Sequence, residues 1–358
     1  LILKKLDLAN FRNYEDASFN PHPEGNLIIA PNGCGKTNLL ESIAYCGLGK
    51  SVHFHRDEEL LRDGGEYFCV RGEFQTDADL PLKVQISWQD GKKLLKINDA
   101  PVRQLSSIFE CVKVIYSAPE DMNLVAGYPR FRRQYFDLAI SQIYPEYITK
   151  LRNYLHVVEQ RNNLLKRTYQ AEEKSSWDHR FMELLKEVVS YRMRYLELVN
   201  SAFAGQYPLI SKQMKDIRLN YHYHHHEPYP ESRRKLAELI ASLEQREKRY
   251  QRSLIGPHID DYEFTLNSHN LKTFGSQGQK RITVIILKLI QASLIEHLTG
   301  IRPILLFDDV FAELDKLHTH RISEFLDYRY QIYIASPRED ICMEWKELSR
   351  LQLPGVPA

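Results

Sequence analysis

The hydrophobic pattern divides the chain into three zones. The first residues, "LILKKLDLANFRNY", alternate apolar and polar as a strand does. "CVRGEF", "PLKVQISW", "KLLKI" and "CVKVIY" continue that pattern to about residue 125. Asp90-Gly91 predicts a hairpin turn between two of these strands. From about 140 to 204 the period becomes helical, with Leu151, Leu155 and Val158 on one face. Phe181, Leu184, Leu185, Val188 and Tyr195 share a second face. "QAEEKSSWD" (170–178) reads as the polar connection between two long helices, and "AGQYP" (204–208) as the end of the second. A strand through Ile217, Leu219, Tyr221 and Tyr223 and a charged helix over about 232–250 follow. Then come a strand over Tyr262–Leu266, a helix after 276, the apolar strand "ILLFD" and a last strand "QIYIA". The pattern predicts one α/β fold whose helical zone is an inserted arm. The expected divisions are residues 1–125, 126–250 and 251–358.

Composition narrows the class. The chain has 358 residues, 43% hydrophobic and 27% charged, with a net charge of +1. This reads as a globular chain with ample core, and any nucleic-acid contact must come from a local basic patch. No unbroken run of eighteen apolar residues exists, so no membrane partner is expected. The first residues also lack the apolar core and cleavage site of a signal peptide. Five scattered cysteines without a C-x-x-C suit a reducing cytoplasm, and neither a zinc site nor a disulfide framework is expected. "YHYHHHEP" would place His222, His224 and His226 on one strand face. Without a carboxylate or cysteine at ligand spacing, a solvated strand edge is the better reading.

The chemistry begins after the apolar run Leu27-Ile28-Ile29. Ala30-Pro31-Asn32-Gly33-Cys34-Gly35-Lys36-Thr37 matches G-x-x-x-x-G-K-[ST] except at its first position, and Asn38 follows. Gly33 and Gly35 let backbone N–H groups turn inward around a β-phosphate. Lys36 would reach the β- and γ-phosphates of ATP, and the Thr37 hydroxyl would bind Mg²⁺. The apolar helix that follows presents its N-terminus to the anion. Far along the chain, "PILLFDDVFAELD" (303–315) supplies a buried strand ending in Asp308-Asp309. Asp308 would hold Mg²⁺ through water, and Asp309 would polarise the attacking water. Between them, "FGSQGQKR" (274–281) places Ser276, Gln277, Gly278 and Gln279 at a helix start suited to an anion.

A phosphate loop and an acidic strand separated by most of the chain, with a Ser-Gly element before the strand, are similar to the ABC-type ATPases of chromosome maintenance. The chain more specifically resembles the RecF family of bacterial recombination-mediator ATPases. The matching stretches are "LANFRNY" (8–14), the ATP loop, "GYPRFRRQYFD" (127–137), "YLHVVEQRNNLLK" (154–166), "IGPHIDDYEF" (255–264), "FGSQGQKR" and "LLFDDVFAELD". That resemblance implies an ABC-type P-loop ATPase head of two lobes with a helical arm. It also implies ATP-dependent dimerisation on DNA at single-strand/double-strand boundaries, with Ser276 capping the γ-phosphate across the dimer. Action with RecO and RecR in loading RecA onto gapped DNA belongs to the same implication, as does weak, DNA-coupled ATP hydrolysis. Four positions depart from the pattern. Ala30 replaces a glycine, His53 an arginine in the Gly49–His53 stretch, Ile259 an arginine after G-P-H, and Ser117 a glutamine. These bear on turnover more than on ATP binding. The densest basic candidates for DNA phosphates are Arg130, Arg132 and Arg133, then Lys150, Arg152, Arg161, Lys166 and Arg167. An ABC transporter ATPase would share all three nucleotide elements but not the basic, tyrosine-rich arm. A condensin-like SMC ATPase would need a far longer coiled coil, and a P-loop metabolite kinase has no use for S-x-G-Q.

Overall fold

The computed structural model of the protein describes residues 1–53, 56–211, 216–326 and 329–354. The chain packs as two units, each assembled from separated stretches. The first takes Leu1–Asp121, Gln206–Gln213 and Arg281–Ala358; the second takes Met122–Gly205 and Met214–Lys280. Residues 251–280, grouped by sequence with the returning ATPase segment, pack with the second unit.

Two sheets build the first unit. Strands β1 (Ile2–Phe11), β2 (Tyr14–Phe19), β4 (Tyr67–Gln75), β5 (Pro81–Gln89), β6 (Lys92–Ile97) and β7 (Ala100–Val102) form an antiparallel sheet in the order β2-β1-β4-β5-β6-β7. Its alternation is that of a sheet with one buried face: Phe68, Val70 and Phe74 point inward, as do Val84 and Ile86. Asp90 and Gly91 both take positive φ (50° and 73°), the backbone of the tight hairpin turn expected there. The second sheet is wholly parallel, in the order β14-β3-β13-β12-β8. Its strands are β3 (Gly25–Ile29), β8 (Val114–Ser117), β12 (Ile304–Asp308), β13 (Ile332–Ser336) and the short β14 (Ser349–Arg350). Strands β12 and β13 are buried at every position, which is why they read as unbroken apolar runs. Helices α1 (Lys36–Leu48) and α10 (Lys316–Leu326) also belong to the unit, with a short α2 (Ile108–Cys111). Cys111 therefore closes a helix and does not open the strand that "CVKVIY" suggests.

The second unit is mainly helical: α3 (Asn123–Ala126), α4 (Pro129–Ile143), α5 (Glu146–Leu164), most of α6 (Ala171–Ser211), α7 (Arg233–Tyr250) and α8 (Leu271–Phe274). A small antiparallel sheet runs β11 (His269–Asn270), β10 (Asp261–Leu266) and β9 (Ile217–His222). Helix α9 (Gln277–Thr299) begins in this unit and continues in the first from Arg281. It is long and apolar enough to cross a membrane by composition, yet 72% of that apolar window is buried inside the protein, so its hydrophobicity serves the core.

Three readings of the arm need correction. The polar stretch after residue 170 is not a connection, because α6 begins at Ala171. Glu172 and Glu173 suit its positively polarised first turn, and Lys174 pairs with Asp178 one turn on at 2.6 Å. Helix α6 also continues through Pro208 to Ser211. Leu155 is exposed, and the buried face of α5 is instead Tyr147, Tyr154, Val157, Val158, Arg161 and Leu164. That face includes a buried cation because carboxylates meet it there: Arg161 pairs with half-buried Asp178 at 2.7 Å and with buried Glu247 at 3.0 Å. Arg192, fully buried, likewise bonds Asp137, the Tyr147 and Tyr221 hydroxyls and the Pro257 carbonyl.

Beside these guanidinium groups lies His258, its Nδ1 2.7 Å from the Tyr154 hydroxyl. Burial, with Arg161, Arg133 and Arg192 nearby, pushes its imidazolium down to about 4. The unfolded chain then binds the extra proton between about pH 6.5 and 4, so stability falls as pH drops through that window, by about 3 kcal/mol at most from this group. Urea unfolding at pH 7 and pH 5 should show a smaller loss on acidification in His258→Asn than in the parent chain.

Candidate nucleotide site

The carboxyl end of β13 organises the site. Ala335 and Ser336 pair on one side with Ile28 and Ile29 of β3, and Ala335 on the other with Asp308 of β12. Beyond the paired residues the ladder continues into both loops. The Ala30 N–H donates to the Ser336 carbonyl at 3.4 Å, and the Asp309 N–H to the Ala335 carbonyl at 3.0 Å. The glycine-rich loop and the acidic pair thus leave the same sheet edge with one strand between them. Ligands of parallel α/β sheets bind at such carboxyl ends.

Within the loop, Gly33 (φ 86°) and Gly35 (φ 94°) are left-handed, and Gly35 caps α1. Lys36 is buried, and its ammonium donates to the Ala30 and Pro31 carbonyls at 2.7 and 3.0 Å and to Asn32 Oδ1 at 3.4 Å. Its charge is thereby held over the loop by its own backbone. Thr37 and Asn38 open the first turn of α1, half-buried, where N–H groups lack helical acceptors. Cys34 is half-buried beside them.

Asp308 is buried. Its Oδ2 accepts from the Tyr116 hydroxyl at 2.8 Å, while its Oδ1 has no hydrogen-bond partner among the described residues. Asp309 follows in a left-handed conformation (φ 51°, ψ 13°), a backbone that non-glycine residues seldom adopt and that clusters at functional sites. One of its oxygens is also buried and has no hydrogen-bond partner among the described residues. Burial lifts its carboxyl above the ordinary value, the Asp308 charge adds to this, and Lys36 opposes it. A buried orphan carboxylate oxygen beside a lysine-bearing phosphate loop is the donor set that a hard divalent cation takes, so Mg²⁺ fits these residues.

The Ser-Gly element lies in the second unit. Ser276 and Gln279 satisfy each other at the start of α9: the Gln279 N–H donates to Ser276 Oγ at 3.2 Å, and the Ser276 N–H to Gln279 Oε1 at 2.9 Å. This reciprocal cap leaves the Ser276 hydroxyl proton and the N–H groups of Gln277 and Gly278 at an exposed helix N-terminus.

Comparison with known proteins agrees with this geometry. The family model described as RecF/RecN/SMC N terminal domain matches residues 2–354. The DNA replication and repair protein RecF of Desulfitobacterium hafniense is 34% identical over 332 residues, covering 91% of this chain and 90% of its own. The chain belongs to the RecF family. Among solved structures, the recombination mediator protein RecF-ATPrS in the RecFOR pathway superposes with a TM-score of 0.87 at 28% identity, over 95% of this chain and 93% of that one. Its RecF-ATP counterpart gives 0.86 at 26%, over 94% and 92%. The fold is therefore the RecF and SMC type of ATPase head, mixed α/β with a long helical arm. The transporter-subunit alternative is set aside.

The basic residues expected to meet DNA divide sharply. Arg132 is withdrawn from that set: it is buried and forms a two-pronged pair with Asp261 at 2.7 and 2.8 Å while donating to the Gly127 carbonyl. Arg161 is internal, as described, and Arg133 is half-buried with a bond to the Asp260 carbonyl. Arg130, Arg152, Lys166 and Arg167 are exposed. Arg167 pairs with Glu173, and half-exposed Lys150 with Glu187 at 2.9 Å. Sequence reasoning took these as one dense patch because helical spacing alone does not reveal an acidic partner from another element. His222, His224 and His226 are exposed, but β9 ends at His222, so strand alternation does not carry through the run.

Sequence reasoning also missed supports of the loop. The Tyr14 hydroxyl donates to the Gly35 carbonyl at 3.1 Å, and Asn38 Nδ2 to Asn13 Oδ1 at 2.7 Å. Both lie in "LANFRNY", a stretch singled out for its resemblance but given no role. These contacts make the two loop glycines unequal. A Cβ on Gly33 would meet nothing within 4 Å, whereas one on Gly35 would sit 2.6 Å from Asn13 Nδ2 and 3.0 Å from the Tyr14 hydroxyl. Gly33→Ala should cost about 1–2 kcal/mol for its left-handed backbone alone. Gly35→Ala should cost more, read as a larger drop in unfolding midpoint without nucleotide.

Proposed function

We propose that the chain is an ATP-dependent DNA-binding protein of recombinational repair. The observation that carries this reading is the delivery of Lys36 and Asp308-Asp309 to the two sides of one strand end. In this reading the loop Ala30–Asn38 wraps the phosphates, with the backbone N–H groups after Pro31 turned toward them. Lys36 leaves its loop carbonyls for the β- and γ-phosphates, a stronger charge-assisted partnership. Thr37 and Asp308 would hold Mg²⁺, which when bound would supply neutralising charge at the phosphates. Asp309 orients and deprotonates the attacking water; its raised carboxyl value makes it a better proton acceptor than an ordinary aspartate. Turnover is weak and releases a DNA-bound dimer.

Ser276, with Gln277, Gly278 and Gln279, acts on the nucleotide of a second copy, so ATP joins two chains. Exposed Arg130, Arg152, Lys166 and Arg167, with half-exposed Lys150, then contact phosphates of gapped or junction DNA. Such contacts are sequence-tolerant and salt-sensitive. By the family's pathway, RecR and RecO are the protein partners and RecA the recombinase loaded, in the cytoplasm. The first unit is the ATPase lobe, and the second carries the arm and the Ser-Gly element.

Mixing Ser276→Arg chains with Lys36→Ala chains tests this arrangement. Each homodimer lacks a working site, while a mixed dimer keeps one intact composite site. ATPase activity in the mixture should rise well above either variant alone; a mixture no more active than its components would contradict action across two copies.

A further inference from the structure

Resting on the reading that Asp308 holds the nucleotide's Mg²⁺, we infer that Tyr116 and His53 are positioning residues that aim its carboxylate. Strand β8 lies parallel to β12 with Tyr116 opposite Leu306, and the phenol reaches forward to Asp308 Oδ2 at 2.8 Å. That bond occupies one carboxylate oxygen and leaves Oδ1, buried and unpartnered among the described residues, as the oxygen presented to a cation. The strand end is itself fixed: Lys288 donates to the Tyr116 carbonyl at 2.7 Å and pairs with Asp121 at 3.0 Å.

Behind the phenol stands His53, its Nε2 2.9 Å from the hydroxyl oxygen and its ring edge-on to the tyrosine. The phenol donates its proton to Asp308 Oδ2. With that proton donated to Asp308, the hydroxyl oxygen can only accept from His53, which fixes the imidazole proton on Nε2. His53 is anchored in turn. Its N–H donates to Ser51 Oγ at 3.0 Å, and Ser51 donates to buried Glu41 at 2.5 Å. Glu41 lies on α1, the helix that Lys36 opens, and meets Arg12 at 3.3 Å. The polar chain Glu41–Ser51–His53–Tyr116–Asp308 therefore ties the phosphate-loop helix to the acidic strand. Outer partners of this kind orient ligands, and their loss typically weakens metal affinity by about 10- to 100-fold.

The test measures a fluorescent ATP analogue bound at increasing Mg²⁺, alongside its binding in EDTA and each variant's unfolding midpoint. Tyr116→Phe keeps the ring and removes the bond. It should raise the Mg²⁺ midpoint about tenfold while nucleotide binding in EDTA stays at the parent level. His53→Ala should shift the midpoint the same way by less, and His53→Gln, whose amide can donate from a similar place, should restore it. Should Tyr116→Phe unfold, the exposed His53 pair carries the same comparison. A parent-like Mg²⁺ midpoint in Tyr116→Phe, or equal midpoints for His53→Ala and His53→Gln, would overturn the inference. Asp308→Asn keeps the two failures apart. It should abolish the Mg²⁺ response, and if it does not, the underlying metal assignment falls, not merely its positioning.

Discussion

The site depends on a backbone hydrogen-bond ladder. Strand β13 receives β3 on one side and β12 on the other, and past the paired residues it still accepts the Ala30 N–H at Ser336 and the Asp309 N–H at Ala335. Those bonds settle where the phosphate loop starts and where the acidic pair turns, although the two lie at opposite ends of the sequence. Everything chemical follows from that spacing. Lys36 opposes the upward pull of burial and Asp308 on the Asp309 carboxyl, and the left-handed turn at Asp309 brings a carboxylate into position at the sheet edge. The core enforces the ladder, because Ile304–Phe307 and Ile332–Ala335 are buried and a register slip would disrupt the parallel pairing on both sides.

The second unit solves a different problem with ionic chemistry. Arg132, Arg161 and Arg192 are buried, and each is matched to carboxylates contributed by other elements: Asp261, Asp178 with Glu247, and Asp137. Asp260 collects the Tyr221 and Tyr229 hydroxyls and the His224 N–H. Breaking one partner of such a pair leaves a buried charge, commonly about 3–5 kcal/mol of destabilisation, so these groups specify how α4, α5 and α6 pack around β9 and β10. Tyrosine enrichment in the arm reflects this network, in which phenols satisfy buried charges.

What was legible in the sequence follows from range. The loop from Ala30 to Thr37 and the strand ending at Asp308 announce themselves because residue type and spacing are local signals, and the Asp90-Gly91 turn is equally local. Arg132 and Arg161 were misplaced among surface cations because their carboxylate partners come from distant segments, and nothing in helical spacing reports a partner across the fold. The start of α6 was misread because Glu172, Glu173, Lys174 and Asp178 look like a loop by polarity while being good first-turn and one-turn-apart residues. The role of Tyr116 is hidden for the opposite reason: within an apolar strand it reads as core, and only the register of β8 against β12 shows its hydroxyl at Asp308.

The central claim is that this one sheet edge couples ATP to DNA. A binding titration on gapped and fully duplex DNA, with and without ATP and at fixed salt, addresses it directly. The account predicts that ATP strengthens binding to the gapped DNA, and that Lys36→Ala binds weakly whether or not ATP is present. Affinities identical with and without ATP in the parent chain would contradict it.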